Sequence, residues 1–334
     1  ERGDWDGFTA RRAESLSRGM LRGIGLANYV ETAAGWPMER AEMAVLPDGR
    51  IDIVIGTQAS GQGHETAYAQ VVADFLQVPT ESVVLRTGDT DFVKMGAGSH
   101  SSRSMRLAGH LFRQNADAII EKGRRIASQL LEAAVEDVEF ADGGFRVAGT
   151  DRRIGLFETA AQAVGLADPL RSIAEVTQSI HAFPNGSHVV EVEVDPDTGA
   201  VRIMRYTAID DVGRVINPMI VDGQTHGGIA QGAGQALLEN KLYETDTAQL
   251  ISGSFMDYAL PRADDLPFFD LEFNEVPAPS TWLGVEGGGE GGATGAPNAI
   301  ISAIIDAISG YGVRHIEMPA TPEKIWKAMR RHHT

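Results

Sequence analysis

The sequence predicts an α+β chain of two similar subdomains. Each is an antiparallel-rich sheet with packed helices, and the loops of both converge on one cleft. Two observations carry this. Pairs of alternating apolar stretches around short turns are each followed by a stretch of helical period. After both pairs the same Gly-Gln-x-His pattern recurs, as Gly61, Gln62, His64 and as Gly223, Gln224, His226. A chain of 334 residues is long enough to bury two such units.

Taken in order, residues 1–22 are charged and mixed and read as an arm or linker lying on another surface. A first subdomain follows over 23–180 and a second over 181–334. In the first, 23–32 reads as a strand. Residues 41–45 and 51–55 alternate as strands around Leu46-Pro47-Asp48-Gly49, a hairpin turn. A polar loop leads to Tyr68, Val71, Val72, Phe75 and Leu76, which share a helical face. Residues 82–86 form a strand, 96–104 a serine-rich loop, and a long helical region runs to about 134. Asp142-Gly143 turns a further hairpin. The second subdomain repeats the plan with strands at 189–194 and 201–206, and a helix carrying Ile229, Ala233, Ala236 and Leu237. His332 and His333 close the chain as a tail.

The stretch that organises the chain runs from 284 to 308. Six of the nine residues from 284 to 292 are glycine, and Glu290 sits among them. Glycine gives up backbone entropy on ordering, so such a run is kept where something approaches the backbone closely or φ is positive. Behind it Ile300, Ile301, Ile304, Ile305 and Ile308 fall on one helical face, with Pro297 suited to the first turn. The segment therefore reads as a loop and a helix start holding a carboxylate. Gly287, Gly289 and Gly292 satisfy a bare G-x-G-x-x-G, but Glu290 stands where a pyrophosphate would have to approach and no acidic residue follows at the ribose distance. A flexible surface loop is the plainer alternative.

Composition narrows the function classes. A net charge of −17 argues against nucleic acid and anionic membranes. The absence of cysteine excludes disulfides, thiolate zinc, a cysteine nucleophile and iron–sulfur ligation by these residues. No apolar run reaches the length of a membrane span, so a cytoplasmic protein is the default expectation. The nine histidines carry no H-E-x-x-H and no carboxylate cluster at metal-ligand spacing, so no metal ligand is assigned to the chain. His64 and His226 read as hydrogen-bonding loop residues. No serine sits on a nucleophile elbow.

Three features remain that can carry chemistry. Gln62 and Gln224, at matched positions, offer an amide donor and a carbonyl acceptor, which suit heterocycle edges and oxo groups. Gly63 and Gly227 allow close backbone approach. Ser99, His100, Ser101, Ser102, Arg103 and Ser104 present hydroxyls, a guanidinium and free N–H groups at a helix start, a ready anion site. These features serve either an enzyme handling a large phosphate-bearing cofactor, with Glu290 as its base, or a binding module in which Glu290 caps backbone.

The chain resembles the C-terminal half of the molybdenum-binding large subunit of the xanthine dehydrogenase, aldehyde oxidase and aerobic carbon monoxide dehydrogenase family. The resemblance rests on GIGLANYVE, GTQASGQGHETAYAQ, TGDTD with GSHSSRSMRLAG, DDVGRVINPMIVDGQTHGGIAQGAGQAL, SFMDYALPRADDLP, GEGGATGAPNAIISAI and MPATPEKIWKAM, in family order over nearly the whole length. It implies a molybdenum hydroxylase subunit, an oxidoreductase active only in a complex. The implied cofactor is molybdopterin cytosine dinucleotide, with 2Fe-2S clusters and FAD on partner chains. Site residues implied with it are Gln62, Gly63, His64, Ser101, Ser102, Arg103, Ser104, Gln224, Gly289 and Gly291 around the cofactor, with no protein ligand to the metal. Glu290 is the implied catalytic base, taking the proton of a water-derived oxygen delivered to an electron-poor carbon. Partners implied are the other half of the molybdenum subunit, a small iron–sulfur subunit and a medium FAD subunit, acting on a small molecule.

Three departures from the family pattern stand out. The first half of the large subunit is missing from these residues, so the chain is a split subunit or a fragment. Glu286 stands where many relatives have lysine, and Val212 replaces a common cysteine. The Glu-Gly-Gly-Ala-Thr-Gly-Ala-Pro run differs from carbon monoxide enzymes and favours an N-heterocycle or aldehyde substrate. A cofactor-binding or assembly module without turnover, or a fragment of the carbon monoxide type, is the alternative.

Overall fold

The computed structural model describes residues 2–165, 169–177 and 180–331; the closing histidines lie outside them. The α+β class is as the sequence predicts. Helix α1 (Phe8–Ser17) and strand β1 (Leu21–Val30) open the chain. A first unit follows. Strands β2 (Glu39–Val45) and β3 (Ile51–Ile55) make the hairpin at Pro47-Asp48-Gly49, helix α2 (His64–Leu76) crosses, and β4 (Val83–Arg86) returns parallel to β3. Helix α3 (Ser104–Leu130) then covers the sheet. A small meander of β5 (Val138–Ala141), β6 (Gly144–Val147) and β7 (Arg153–Gly155), with helix α4 (Leu156–Gln162), precedes β8 (Arg171–Val176), which pairs antiparallel with β2.

The second unit repeats this order. Strands β9 (Asn185–Val194) and β10 (Val201–Asp211) form a hairpin and helix α5 (Pro218–Leu237) crosses. Strand β11 (Phe269–Phe273) runs parallel to β10, and helix α6 (Gly291–Ala307) covers the sheet, with α7 (Pro322–Arg331) last. The sheet orders are β4-β3-β2-β8 and β1-β9-β10-β11.

One strand crosses the expected boundary. β1, placed by the sequence in the first subdomain, pairs antiparallel with β9 from Leu21 opposite Val194 to Val30 opposite Asn185. It takes the edge of the second sheet that β8 takes in the first. Alternation of apolar residues shows that a strand has a buried face, but not which strand it borders.

Each sheet buries its own core. Met43, Ile53, Val72 and Phe112 are sealed in the first, and Val190, Val192, Ile229 and Ile300 in the second. Helix α6 lies so close to β1 that a Cβ on Gly25 would stand 2.2 Å from the carbonyl oxygen of Ala299. Where α5 meets α6, a Cβ on Gly292 would stand 2.6 Å from the carbonyl oxygen of Thr225. Helix packing, and not only a ligand, thus accounts for part of the glycine content.

The N-terminal arm is tied to this same chain. Arg11 and Arg22 converge on the buried Glu191, at 2.6 and 2.8 Å, and the Ser15 hydroxyl donates to Glu193 at 2.6 Å. Arg22 and Glu191 are both almost wholly enclosed, so deleting Arg22 removes the more deeply buried of the two guanidiniums that neutralise this carboxylate. We expect Arg22→Ala to cost up to about 3–5 kcal/mol. Arg125→Ala, which removes an exposed ion pair one helical turn from Glu121, should cost no more than about 0.5 kcal/mol. Denaturant unfolding of the two variants checks this difference.

Candidate functional site

Loops and helix ends from both units meet around a cavity of about 210 Å³. Gln62, His64, the 99–104 segment, Gln224 and the 287–290 segment all border it, together with Val212, Arg214, Asn217 and Ile220. Residues far apart in sequence are thus brought together.

The serine segment is held from beneath by Arg103. Its guanidinium is fully enclosed and bonds Glu39 at 2.9 Å and the carbonyls of Gly98, Trp36 and Met38 at 2.8, 2.9 and 2.7 Å. The sequence assigned this guanidinium to an anion. Its donors are instead spent on the fold, because a buried charge is tolerated only when paired and hydrogen-bonded. The loop it anchors runs through Ser101 and Ser102 at φ of 50° and 51°, left-handed backbone that non-glycine residues seldom adopt. Ser104 begins α3, and its hydroxyl lies 2.7 Å from that of Ser99. The Ser102 hydroxyl donates to Glu31 Oε1 at 2.8 Å and lies 3.5 Å from Glu290 Oε2.

Gln62 turns its Oε1 to the backbone N–H of Ser60 at 2.5 Å, leaving its amide Nε2 as a donor. His64 is the first residue of α2. Its Nδ1 bonds the Thr57 carbonyl oxygen at 2.8 Å, and its ring stacks on Tyr68. Burial lowers its pKa from the ordinary 6.5, only partly opposed by the Thr57 bond. Gly63, expected to admit a ligand, meets Ile220 instead: its Cβ would be 2.8 Å from the Ile220 Cδ1.

The second Gly-Gln-x-His motif does not start a helix. Asn217 caps α5 by accepting the N–H of Ile220 at 3.1 Å and Pro218 occupies its first turn, so Gln224 sits within the helix. Gln224 still borders the cavity, whereas His226 bonds the Asp222 carbonyl oxygen within the helix at 2.9 Å. Asn-Pro was the available signal for this start. Asn217 also donates to Gln70 Oε1 at 3.0 Å, tying α5 to α2.

The glycine segment is a fixed element, not a flexible loop. Glu286 N–H donates to the Val212 carbonyl oxygen and Arg214 N–H to that of Gly284, both at 2.8 Å. Gly287, at φ 111°, needs the freedom only glycine has, and its Cβ would be 2.6 Å from that of Ser102. Gly289 has open space where a Cβ would project. Gly291, expected at the cofactor, instead makes room for Tyr29, whose hydroxyl would lie 2.3 Å from its Cβ. Helix α6 starts at Gly291, so Pro297 falls inside the helix and not in its first turn.

The two acidic residues of this segment part company. Glu290 is the N-cap residue of α6, exposed at the cavity. Glu286 is half-buried with one carboxylate oxygen lacking a partner, and burial followed by repulsion from Asp211 raises its pKa. It does not border the cavity. Among the described residues no group of three or more His, Cys, Asp or Glu is placed to hold a metal ion, and no helix is long and apolar enough to cross a membrane.

His64 makes stability depend on pH. Its folded-state pKa lies below the unfolded value, so the unfolded chain takes the proton first and stability falls as pH drops below 6.5 through the lowered pKa. We expect His64→Gln to flatten the dependence of thermal midpoint on pH in that window.

Comparison with known proteins fits this geometry. The molybdopterin cofactor-binding domain family matches residues 1–267. The 6-hydroxypseudooxynicotine dehydrogenase complex subunit gamma of Paenarthrobacter nicotinovorans is 41% identical over 312 residues, 91% of this chain and 39% of that protein. The carbon monoxide dehydrogenase large chain of Hydrogenophaga pseudoflava is 31% identical, covering 97% of this chain and 42% of its own length. Quinoline 2-oxidoreductase from Pseudomonas putida 86 superposes with a TM-score of 0.89 at 33% identity, over 97% of this chain and 44% of that one. The chain thus spans about two fifths of the length of the curated relatives it matches.

Proposed function

For a chain that belongs to the molybdopterin cofactor-binding family of molybdenum hydroxylases, we propose that it forms the half of a molybdenum subunit that supplies the catalytic base, Glu290. The observation that carries this is the meeting, at one cavity, of a carboxylate at a helix start, an amide donor and a serine loop drawn from both sheets. The cavity suits a pterin–nucleotide cofactor: Gln62 Nε2 and the N–H groups at the start of α3 are donors, and the open side of Gly289 leaves the backbone approachable.

Gln62, His64, Gln224 and the backbone of 101–104 would hold the cofactor. Ser101 offers its hydroxyl and Ser102 its backbone, whereas Arg103, Gly63 and Gly291 support the site from behind. When bound, the molybdenum cofactor supplies an activated water oxygen and accepts two electrons. Glu290 then needs only to receive a proton at a carboxylate oxygen, a step worth roughly 10²–10⁴-fold when the base is positioned.

The cytosine dinucleotide form of the cofactor, 2Fe-2S and FAD partner subunits, the other half of the molybdenum subunit and a cytoplasmic location complete the proposal. Lack of cysteine in the chain supports placing the clusters elsewhere. For substrate we propose an N-heterocycle or aldehyde; relatives named for 6-hydroxypseudooxynicotine and quinoline support the former.

In the assembled complex, Glu290→Gln should lower kcat by roughly 10²–10⁴-fold with molybdenum and nucleotide content unchanged. Near-normal turnover at full metal content would refute the assignment. Glu286→Gln, which alters a side chain turned away from the cavity, should leave kcat within about threefold, less than the lowest value of a positioned base.

A further inference from the structure

Glu31 follows β1 and is joined to Glu290 through one hydroxyl. Ser102 Oγ donates to Glu31 Oε1 at 2.8 Å and stands 3.5 Å from Glu290 Oε2. A serine hydroxyl has a single hydrogen, so it cannot serve both carboxylates. Glu31 is half-buried, and its Oε2 is enclosed without a hydrogen-bond partner. A buried carboxylate oxygen with no donor is among the costliest arrangements a fold can keep, unless a proton is added. We infer that Glu31 is a positioning residue for Glu290: the two carboxyls share one proton, held on the inner Glu31, so that Glu290 faces the cavity as the anion.

The surroundings agree. Burial raises the Glu31 pKa, and the charge of Glu290 raises it further, against the Ser102 bond. Arg106 of α3 opposes this with its positive charge. Its guanidinium, however, is spent on the carbonyls of Ser102 and Ala34, at 2.9 and 3.3 Å, and burial pushes its own pKa down to about 10. On β1, the Tyr29 hydroxyl donates to Asp210 at 2.9 Å. Arg214, His64 and His100 border the cavity that Glu290 faces. Two like charges this close titrate as a pair, in two separated steps that belong to neither residue alone.

This inference rests on Glu290 being the base, and the test separates the two. Infrared titration of the carboxylic acid C=O band in the assembled complex compares wild type with variants. A band persisting above the ordinary glutamate range should vanish in Glu31→Gln. It should move to lower pH in Glu290→Gln, where the neighbouring charge is gone. Ser102→Ala, which removes a bond that lowers the Glu31 pKa, should move it to higher pH. The acid limb of kcat against pH should show two inflections in wild type and one in Glu31→Gln, at unchanged KM. A band indifferent to Glu31→Gln, or a midpoint unmoved in Glu290→Gln, overturns the pair. Full turnover by Glu290→Gln with the band shift intact overturns the catalytic reading and leaves the pair standing.

Discussion

The site depends on one buried cation. Arg103 is closed to solvent; it binds the carboxylate of Glu39 and three backbone carbonyls, so the chain at 36–39 and at 98–104 is gathered around a single guanidinium. A guanidinium is suited to this because its donors are planar and its charge is permanent. With the loop pinned from below, Ser101 and Ser102 can be kept in left-handed backbone, and the strain is offset by the surrounding bonds. The hydroxyl of Ser102 is then held between the two glutamates, with its hydrogen on Glu31.

The second constraint is backbone proximity. The glycine segment meets the serine segment at Gly287 and Ser102, while Gly25 and Gly292 let α6 sink against β1 and α5. Any side chain at these positions would push the layers apart and carry Glu290 away from the cavity. The glycine run therefore does two jobs: some positions allow contact between elements, and Gly289 leaves space at the cavity. The placement of Glu290 follows from helix packing more than from the loop itself.

The architecture explains why an N-terminal strand matters to a C-terminal site. β1 borders β9, carries Gly25 under α6 and leads directly to Glu31. Arg11 and Arg22, ion-paired to Glu191, hold α1 and β1 on that sheet. The two ends of the chain thus form one structural unit, and the acidic partner of Glu290 arrives from the beginning of the sequence.

Sequence by itself determined the element types, the paired hairpins, the helical face behind Glu290 and the set of loops that border the cavity. Each of these rests on local periodicity or turn chemistry: Leu46-Pro47-Asp48-Gly49 turns a hairpin wherever it stands, and the isoleucines from 300 to 308 share a face in any helix. Tertiary structure alone decided the partner of β1, the burial of Arg103, the start of α5 at Asn217 and α6 at Gly291, and the assignment of Gly63 and Gly291 to packing. It also decided the adjacency of Glu31, Ser102 and Glu290, 71 and 188 residues apart along the chain. Those outcomes depend on contacts between distant segments, and a pattern of period two or 3.6 records which face is buried but not what lies against it.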